Sequence, residues 1–110
     1  MNEDSRATFS RVAAIIELRA KAPPESSYVA RLMGRGRAKI AQKVGEEAVE
    51  TVLAAAVDDV PGMIAESADL MFHLMVLWAS AGITIDDVAA EIARREGISG
   101  LDEKRSRPPE

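Results

Sequence analysis

Apolar side chains recur at three- and four-residue steps along most of the chain, which is the spacing of helices that bury one face. This pattern predicts a first helix over residues 8–21, ending before Pro23 and Pro24, because proline cannot continue a helix. A short segment over residues 27–33 then runs into Gly34-Arg35-Gly36. The second long helix is predicted over residues 37–57.

A turn with the sequence Asp-Asp-Val-Pro-Gly over residues 58–62 separates the second helix from a third, predicted over residues 63–81. Gly82 provides a natural end for the third helix. Thr84, with Asp87 in the capping-box position, predicts the start of a fourth helix that continues to about Glu96. The turn is short, so the second and third helices are expected to form an antiparallel hairpin.

From residue 70 to residue 79 the third helix is apolar almost all round, with only His73 interrupting. A helix that is hydrophobic on every side must be covered on every side, and a chain of 110 residues has little core to spare. We therefore expect an all-α bundle of four to five helices per chain, completed by homodimerisation. The whole chain is expected to form one domain, with residues 1–5 and 105–110 as flexible ends.

Composition supports helices, because aromatic residues make up only 4% of the chain and strands favour aromatic and β-branched residues. The formal net charge of −4 argues against nucleic acid as a partner, since nucleic-acid binders usually carry a basic surplus. The absence of cysteine excludes disulfides and thiolate metal sites. We expect neither a signal peptide nor a membrane span, and hence a cytoplasmic protein.

Two acidic pairs carry the candidate chemistry, Glu47/Glu50 on the second helix and Glu66/Asp69 on the third. Residues three apart lie on one face of a helix, so each pair presents two carboxylates together. The two pairs are symmetric about Asp58 in the turn. In an antiparallel hairpin, Glu47 is therefore expected level with Asp69, and Glu50 level with Glu66.

Four clustered carboxylates repel one another and call for a cation, and an all-oxygen site suits Mg²⁺ or its substitute Mn²⁺. The plainer alternative is a set of exposed surface acids, although two pairs in register on neighbouring helices rarely arise by chance. A ferritin-like di-iron site is disfavoured, because that site uses Glu-x-x-His and here Asp69 follows Glu66.

Three further residues share the acidic face of the hairpin. Lys39 and Lys43 precede Glu47 by two turns and one turn, where they could meet phosphate oxygens or simply pair with glutamates on a solvated face. His73 lies two turns after Glu66, and a lone histidine on an apolar helix is more often a hydrogen-bonded structural residue than a ligand.

Several stretches of the chain resemble the phosphoribosyl-ATP pyrophosphohydrolase family, within the wider group of MazG-like all-α nucleotide pyrophosphohydrolases. They are Ser27-Tyr28-Val29-Ala30-Arg31-Leu32, the helix with Glu46-Glu47-x-x-Glu50, the helix with Glu66-x-Ala68-Asp69, and a tail that joins Arg94-Arg95 to Ser99-Gly100-Leu101-x-Glu103-Lys104-x-x-Arg107. The acidic motif is common to the wider group, whereas the Ser-Tyr entry and the tail are typical of the histidine-pathway family.

This resemblance implies Mg²⁺-dependent hydrolysis of phosphoribosyl-ATP to phosphoribosyl-AMP and pyrophosphate, the second step of L-histidine biosynthesis, by a helical homodimer. It implies that Glu47, Glu50, Glu66 and Asp69 are metal ligands. Glu46 is implied to be an outer ligand or to help deprotonate the attacking water, with Glu47 as the other catalytic candidate. The cations implied to bind substrate phosphates are Lys39, Lys43, Arg94, Arg95, Lys104 and Arg107. A house-cleaning NTP or dNTP pyrophosphatase would share the acids but not the tail, and a non-catalytic helical interaction module would need neither.

Overall fold

The computed structural model describes residues 1–97 and 104–108, and over these residues the chain is helical without any strand. The prediction of an all-α fold is confirmed. A single 3₁₀ turn, Pro24–Ser26, lies between the first two helices. The α-helices are α1 (Glu3–Ala20), α2 (Tyr28–Arg35), α3 (Arg37–Ala56), α4 (Val60–Ser80) and α5 (Ile85–Arg94).

Helix α1 begins at Glu3, five residues before the start predicted from its apolar face. The Asn2 side chain caps this helix by accepting a hydrogen bond of 2.7 Å from the Ser5 backbone N–H. Glu3 and Asp4 lie in the first turn, where negative charge favours a helix N-terminus. Apolar periodicity does not report this turn, because its side chains are exposed and polar.

The core forms where four helices meet. Each of α1 to α4 contributes at least one aliphatic side chain with an exposed fraction of 2% or less, and these include Ile16, Leu32, Ile40 and Val76. Gly36, with a φ of 94°, makes the corner between α2 and α3, and a residue with a Cβ would be strained there. The corner allows α2 to cover the start of α3 while both contribute to the core.

Helices α3 and α4 form the predicted antiparallel hairpin, with the most extensive contacts between any two elements described. Its turn consists of residues 57–59, and Asp58 at its centre has a φ of 55° in the left-handed region. Aspartate tolerates this conformation better than most residues. The Asp59 side chain accepts a hydrogen bond from Gly62 N–H, so α4 begins at Val60, three residues earlier than predicted.

Helix α5 begins as predicted, with the Thr84 and Asp87 side chains exchanging hydrogen bonds with each other's backbone N–H groups in a capping box. Helix α4 is long and apolar enough to span a membrane when judged by length and composition alone. That is weak support for a membrane location, because helices that pack within a protein core pass the same test.

Candidate metal centre

Three carboxylates converge between α3 and α4, about one and a half to three turns from the end of the hairpin. One carboxylate oxygen from each of Glu47, Glu66 and Asp69 lies within 4.8 Å of the other two. Glu47 is buried, Glu66 is half-buried and Asp69 is exposed, so the cluster opens to solvent on one side. The antiparallel hairpin thus brings together residues from both acidic pairs, as their symmetry about Asp58 predicts.

Glu50 lies against Glu66, also as the symmetry predicts. The surroundings of Glu66 raise its pKa to about 7. The largest cause is a hydrogen bond with the Glu50 side chain, followed by burial and by the charge of Glu50, and Glu47 contributes less. A carboxyl group with so high a pKa retains its proton more readily than an isolated one, because ionisation would add another negative charge to the cluster.

Two oxygens of the cluster, Oε2 of Glu47 and Oε2 of Glu66, are shielded from solvent and have no hydrogen-bond partner. A buried oxygen without a partner is costly, and carboxylate oxygens that repel one another are costlier still. A cation between the two helices would remove both costs at once. All donor atoms of the cluster are oxygens, which suits a hard divalent cation.

The neighbouring polar residues of α3 pair along their own helix. Glu46 is exposed and accepts a hydrogen bond of 2.9 Å from Gln42 Nε2, while Lys43 Nζ lies 3.8 Å from Glu46 Oε2. Lys39 Nζ lies 3.5 Å from Gln42 Oε1. The pairing with a glutamate that the sequence left open for these lysines therefore occurs for Lys43, with Glu46 as its partner, whereas Lys39 contacts Gln42. Their predicted contact with phosphate stays a prediction.

His73 is buried and hydrogen-bonded through both ring nitrogens. Nδ1 lies 2.9 Å from the backbone carbonyl of Asp69, and Nε2 lies 2.9 Å from the Tyr28 hydroxyl. A carbonyl oxygen only accepts, so Nδ1 carries a proton, and Nε2 shares its hydrogen bond with the Tyr28 hydroxyl. His73 thus joins α2 to the helical turn that bears Asp69. Sequence reasoning left the role of His73 open and missed its link to Tyr28, because the two residues are 45 positions apart.

The basic residues at the end of the chain gather around Glu91. Arg94 Nε lies 2.8 and 2.9 Å from the two Glu91 carboxylate oxygens, and Arg95 Nε lies 3.9 Å from one of them. These hydrogen bonds from Arg94, with the charges of Arg95 and Arg107, hold the pKa of Glu91 below its usual range. Lys104 is exposed. The tail motif over residues 99–103 lies outside the described residues.

The fold and the site define an all-α protein in which a helical hairpin builds an all-oxygen candidate centre for a cation. The family model for phosphoribosyl-ATP pyrophosphohydrolase matches residues 9–96, most of the chain. The chain belongs to the phosphoribosyl-ATP pyrophosphohydrolase family.

Curated relatives agree with this assignment over nearly their full length. The chain is 55% identical to the phosphoribosyl-ATP pyrophosphatase of Rhizorhabdus wittichii, across 92% of this chain and 95% of the relative. It is 54% identical to the protein of the same name from Azospirillum brasilense, across 97% and 98%. A third relative of that name, from Rhodospirillum rubrum, is 56% identical across 87% and 82%. The resemblance read from the sequence motifs is therefore confirmed.

Proposed function

We propose that this protein is a phosphoribosyl-ATP pyrophosphatase whose acids Glu47, Glu50, Glu66 and Asp69 hold a divalent metal ion, with Mg²⁺ the natural one and Mn²⁺ a substitute. The reaction converts 1-(5-phosphoribosyl)-ATP and water into 1-(5-phosphoribosyl)-AMP and pyrophosphate, the second step of L-histidine biosynthesis. The observation that carries the proposal is the carboxylate cluster with two buried, unpartnered oxygens, in a chain of this family.

The cluster fits such an ion by its chemistry. Magnesium is bound in proteins by a few carboxylates and completes its shell with water and substrate phosphate oxygens. The open side of the cluster, where Asp69 is exposed, leaves room for both. Once bound, the ion would polarise the phosphate and neutralise the charge of the leaving pyrophosphate.

The chain's own contribution to hydrolysis is to orient water and to accept its proton. The water oxygen forms a new bond to phosphorus as the bond between the α- and β-phosphates breaks, and the proton passes to a carboxylate. Glu47, buried within the cluster, and Glu46, exposed one residue earlier, are the two candidates for that base. Pyrophosphate departs as a stable anion, so strong general-acid assistance is unnecessary.

Basic residues are proposed to bind the substrate's phosphates. Lys39 and Lys43 precede Glu47 by two turns and one turn on α3, and Lys43 Nζ lies 3.8 Å from Oε2 of Glu46, the residue before Glu47. The remaining cations belong to the end of α5 and to the tail, and they are Arg94, Arg95, Lys104 and Arg107. The triphosphate and the additional phosphate of the substrate are negatively charged and would be repelled by four carboxylates alone, so several cations are needed to bind it.

A homodimer is part of the proposal. Six aliphatic side chains around the end of the α3–α4 hairpin have exposed fractions between 56% and 75%. We call them the hairpin patch: Val49, Val52, Leu53, Val57, Val60 and Ile64. So large a set of exposed aliphatic groups is typical of an interface, and a second copy is the occupant that a symmetric assembly would provide. The patch begins next to Glu50 and ends two residues before Glu66, so the partner would border the metal centre.

We also propose that the enzyme acts in the cytoplasm. Glu66 and Asp69 belong to the apolar helix α4, and charged residues are expensive within a bilayer. Their participation in a charged cluster with α3 favours a helix packed against protein rather than lipid.

The substrate preference can be measured directly. Purified protein with Mg²⁺ is offered phosphoribosyl-ATP, ATP and several dNTPs, and pyrophosphate release is recorded with and without EDTA. We expect metal-dependent turnover with phosphoribosyl-ATP preferred. Turnover of dNTPs but not of phosphoribosyl-ATP would indicate a house-cleaning enzyme, and no turnover of any nucleotide would indicate a non-catalytic helical module.

A further inference from the structure

Tyr28, the only tyrosine of the chain, leaves 44% of its surface exposed, and its hydroxyl lies 2.9 Å from Nε2 of His73, one helical turn after Asp69. Large aromatic side chains contribute most when they are covered, and an aromatic ring left open next to a ligand site is available to a flat ligand group. Tyr28 is the first residue of α2 and is exposed, whereas Val29, Ala30 and Leu32 of the same helix are buried.

The ring is held in a fixed orientation. Its hydroxyl is hydrogen-bonded to Nε2 of the buried His73, whose own Nδ1–H donates to the Asp69 carbonyl. The ring also lies nearly parallel to Phe72, with centroids 6.2 Å apart, and meets the His73 ring edge-on at 5.9 Å. Since the hydroxyl and both neighbouring rings restrain it, little conformational entropy remains to be lost when a ligand stacks on it.

Tyr28 is linked through His73 to the helical turn that bears Asp69. His73 follows Asp69 by one helical turn, so two hydrogen bonds connect the Tyr28 ring to the backbone of a proposed metal ligand. A nucleotide whose α- and β-phosphates lie at the metal extends its ribose and purine away from that ion, so its purine needs a surface outside the carboxylate cluster. No other aromatic residue among those described is joined to the cluster in this way.

We propose that the Tyr28 ring, positioned by His73, is the surface on which the purine of phosphoribosyl-ATP stacks. This inference rests on the proposed function, because it assigns a residue to the purine of that substrate. His73 is then a positioning residue that acts through Tyr28, while the ring of Tyr28 touches the substrate itself. The hydroxyl serves orientation, and the stacking surface provides the affinity.

Two substitutions at one position separate these roles. Tyr28→Leu removes the ring, and Tyr28→Phe keeps it while removing the bond to His73. Base–aromatic stacking corresponds to roughly tenfold in affinity or more. We expect Tyr28→Leu to raise KM for phosphoribosyl-ATP about tenfold with kcat within about threefold of wild type, and Tyr28→Phe to keep KM within about threefold. Leu18→Ala, at an exposed site on α1, is the matched control and should change neither constant.

A purine-free inhibitor distinguishes stacking from general damage to the site. The inhibition constant of tripolyphosphate should be the same in wild type and Tyr28→Leu. The inference is overturned if Tyr28→Leu leaves KM unchanged, if Tyr28→Phe is impaired as much as Tyr28→Leu, or if the tripolyphosphate constant rises in parallel. A change of oligomeric mass in Tyr28→Leu would assign the ring to an interface and overturn it as well. If wild type does not turn over phosphoribosyl-ATP, the proposed function itself has failed.

A measurement on the wild-type sequence covers the case in which a variant does not fold. Fluorotyrosine incorporated into the chain reports on Tyr28 alone, because no other tyrosine exists. With Mg²⁺ present, the product 1-(5-phosphoribosyl)-AMP should shift this fluorine signal, and pyrophosphate should leave it in place. Shifts with both products, or with neither at saturation, would show that the ring does not contact the purine.

Discussion

The side chains of Glu50 and Glu47 lie against Glu66 and disfavour its ionised form, which raises the pKa of Glu66 to about 7. The ordinary value for this group is 4.5, so between these two values the folded chain retains a proton that the unfolded chain releases. Stability therefore falls as pH rises through this window, which is the sign expected for an acid whose folded pKa is raised. A divalent cation would reverse the effect by stabilising the ionised form.

We therefore expect Glu66→Gln to stabilise the metal-free protein, and more so at pH 8 than at pH 5. Glutamine carries no charge, so the variant escapes the repulsion that wild type meets once Glu66 is ionised. Thermal unfolding in EDTA at a series of pH values gives the difference in Tm between the two proteins. A difference that does not grow between pH 5 and pH 8 would contradict the raised pKa.

The same thermal unfolding experiment with added Mg²⁺ tests whether Glu66 is a metal ligand. In wild type, added Mg²⁺ should raise Tm more at pH 8 than at pH 5, because binding must otherwise displace a proton from Glu66. In Glu66→Gln the rise in Tm on adding Mg²⁺ should be small at both pH values, because the variant lacks a proposed metal ligand. Equal gains in the two proteins would remove Glu66 from the set of ligands.

Glu50 offers a sharper test of catalysis than Glu66. Glu50→Gln should lower kcat/KM by roughly 100-fold or more, the scale observed when metal sites lose supporting carboxylates, while the helical circular-dichroism signal is kept. Glu25→Gln, in the exposed 3₁₀ turn, is the matched control and should retain activity. Loss of the helical signal in Glu50→Gln would mean that Glu50 is structural.

Spacing along the sequence was sufficient to predict which acids meet, because one short turn fixes how two antiparallel helices are aligned. It was insufficient for His73 and Tyr28. Their hydrogen bond depends on how α2 packs across the hairpin, and that packing follows from core residues such as Leu32 and Val76 rather than from any local motif. Contacts between neighbouring elements of the chain are thus more accessible to sequence reasoning than contacts across the fold.

At the scale of the elements, the turn between α3 and α4 determines the alignment of the acids. Helix interiors follow apolar periodicity, so their existence was predicted from sequence. Their ends depend on polar caps such as Asn2 and Asp59, which extend α1 and α4 beyond the predicted starts. The backbone conformation of Asp58 follows neither from apolar periodicity nor from a polar cap. Its φ of 55°, in the left-handed region, arises from the geometry of the turn.

Replacing Asp58 tests whether that geometry matters. Asp58→Val should lower the free energy of unfolding by about 1–2 kcal/mol or slightly more, because a β-branched residue is strained in the left-handed region. Asp58→Gly, the matched control, adopts the same backbone freely and should stay close to wild type. Urea unfolding gives the free energies, and Mg²⁺ titration shows whether Asp58→Val also weakens metal binding. Equal stability of the two variants would contradict the assigned backbone conformation.

At the scale of the whole molecule, one chain leaves much apolar surface uncovered. The radius of gyration of 15.8 Å exceeds the value of about 13 Å for a compact domain of about 100 residues. Sequence reasoning located the uncovered surface at residues 70–79, where the helix is apolar all round. In the structure His73, Met75 and Val76 of that stretch are buried, and a group of six exposed aliphatic side chains forms the hairpin patch instead. The difference arises because α1 and α2 cover the second half of α4, which the pattern of one helix cannot show.

The hairpin patch leads to a prediction about assembly. At micromolar concentration, light scattering coupled to size exclusion should give twice the 11.8 kDa mass of the chain. Val52→Asp places a charge at the centre of the patch and should yield the single-chain mass, because burying an unpaired carboxylate costs several kcal/mol. Leu18→Asp, at an equally exposed aliphatic position on α1, should remain dimeric. A single-chain mass for wild type, or dimers in all three proteins, would contradict an interface at the patch. Since the patch borders Glu50 and Glu66, a monomeric Val52→Asp that also loses Mg²⁺ affinity would link assembly to the metal centre.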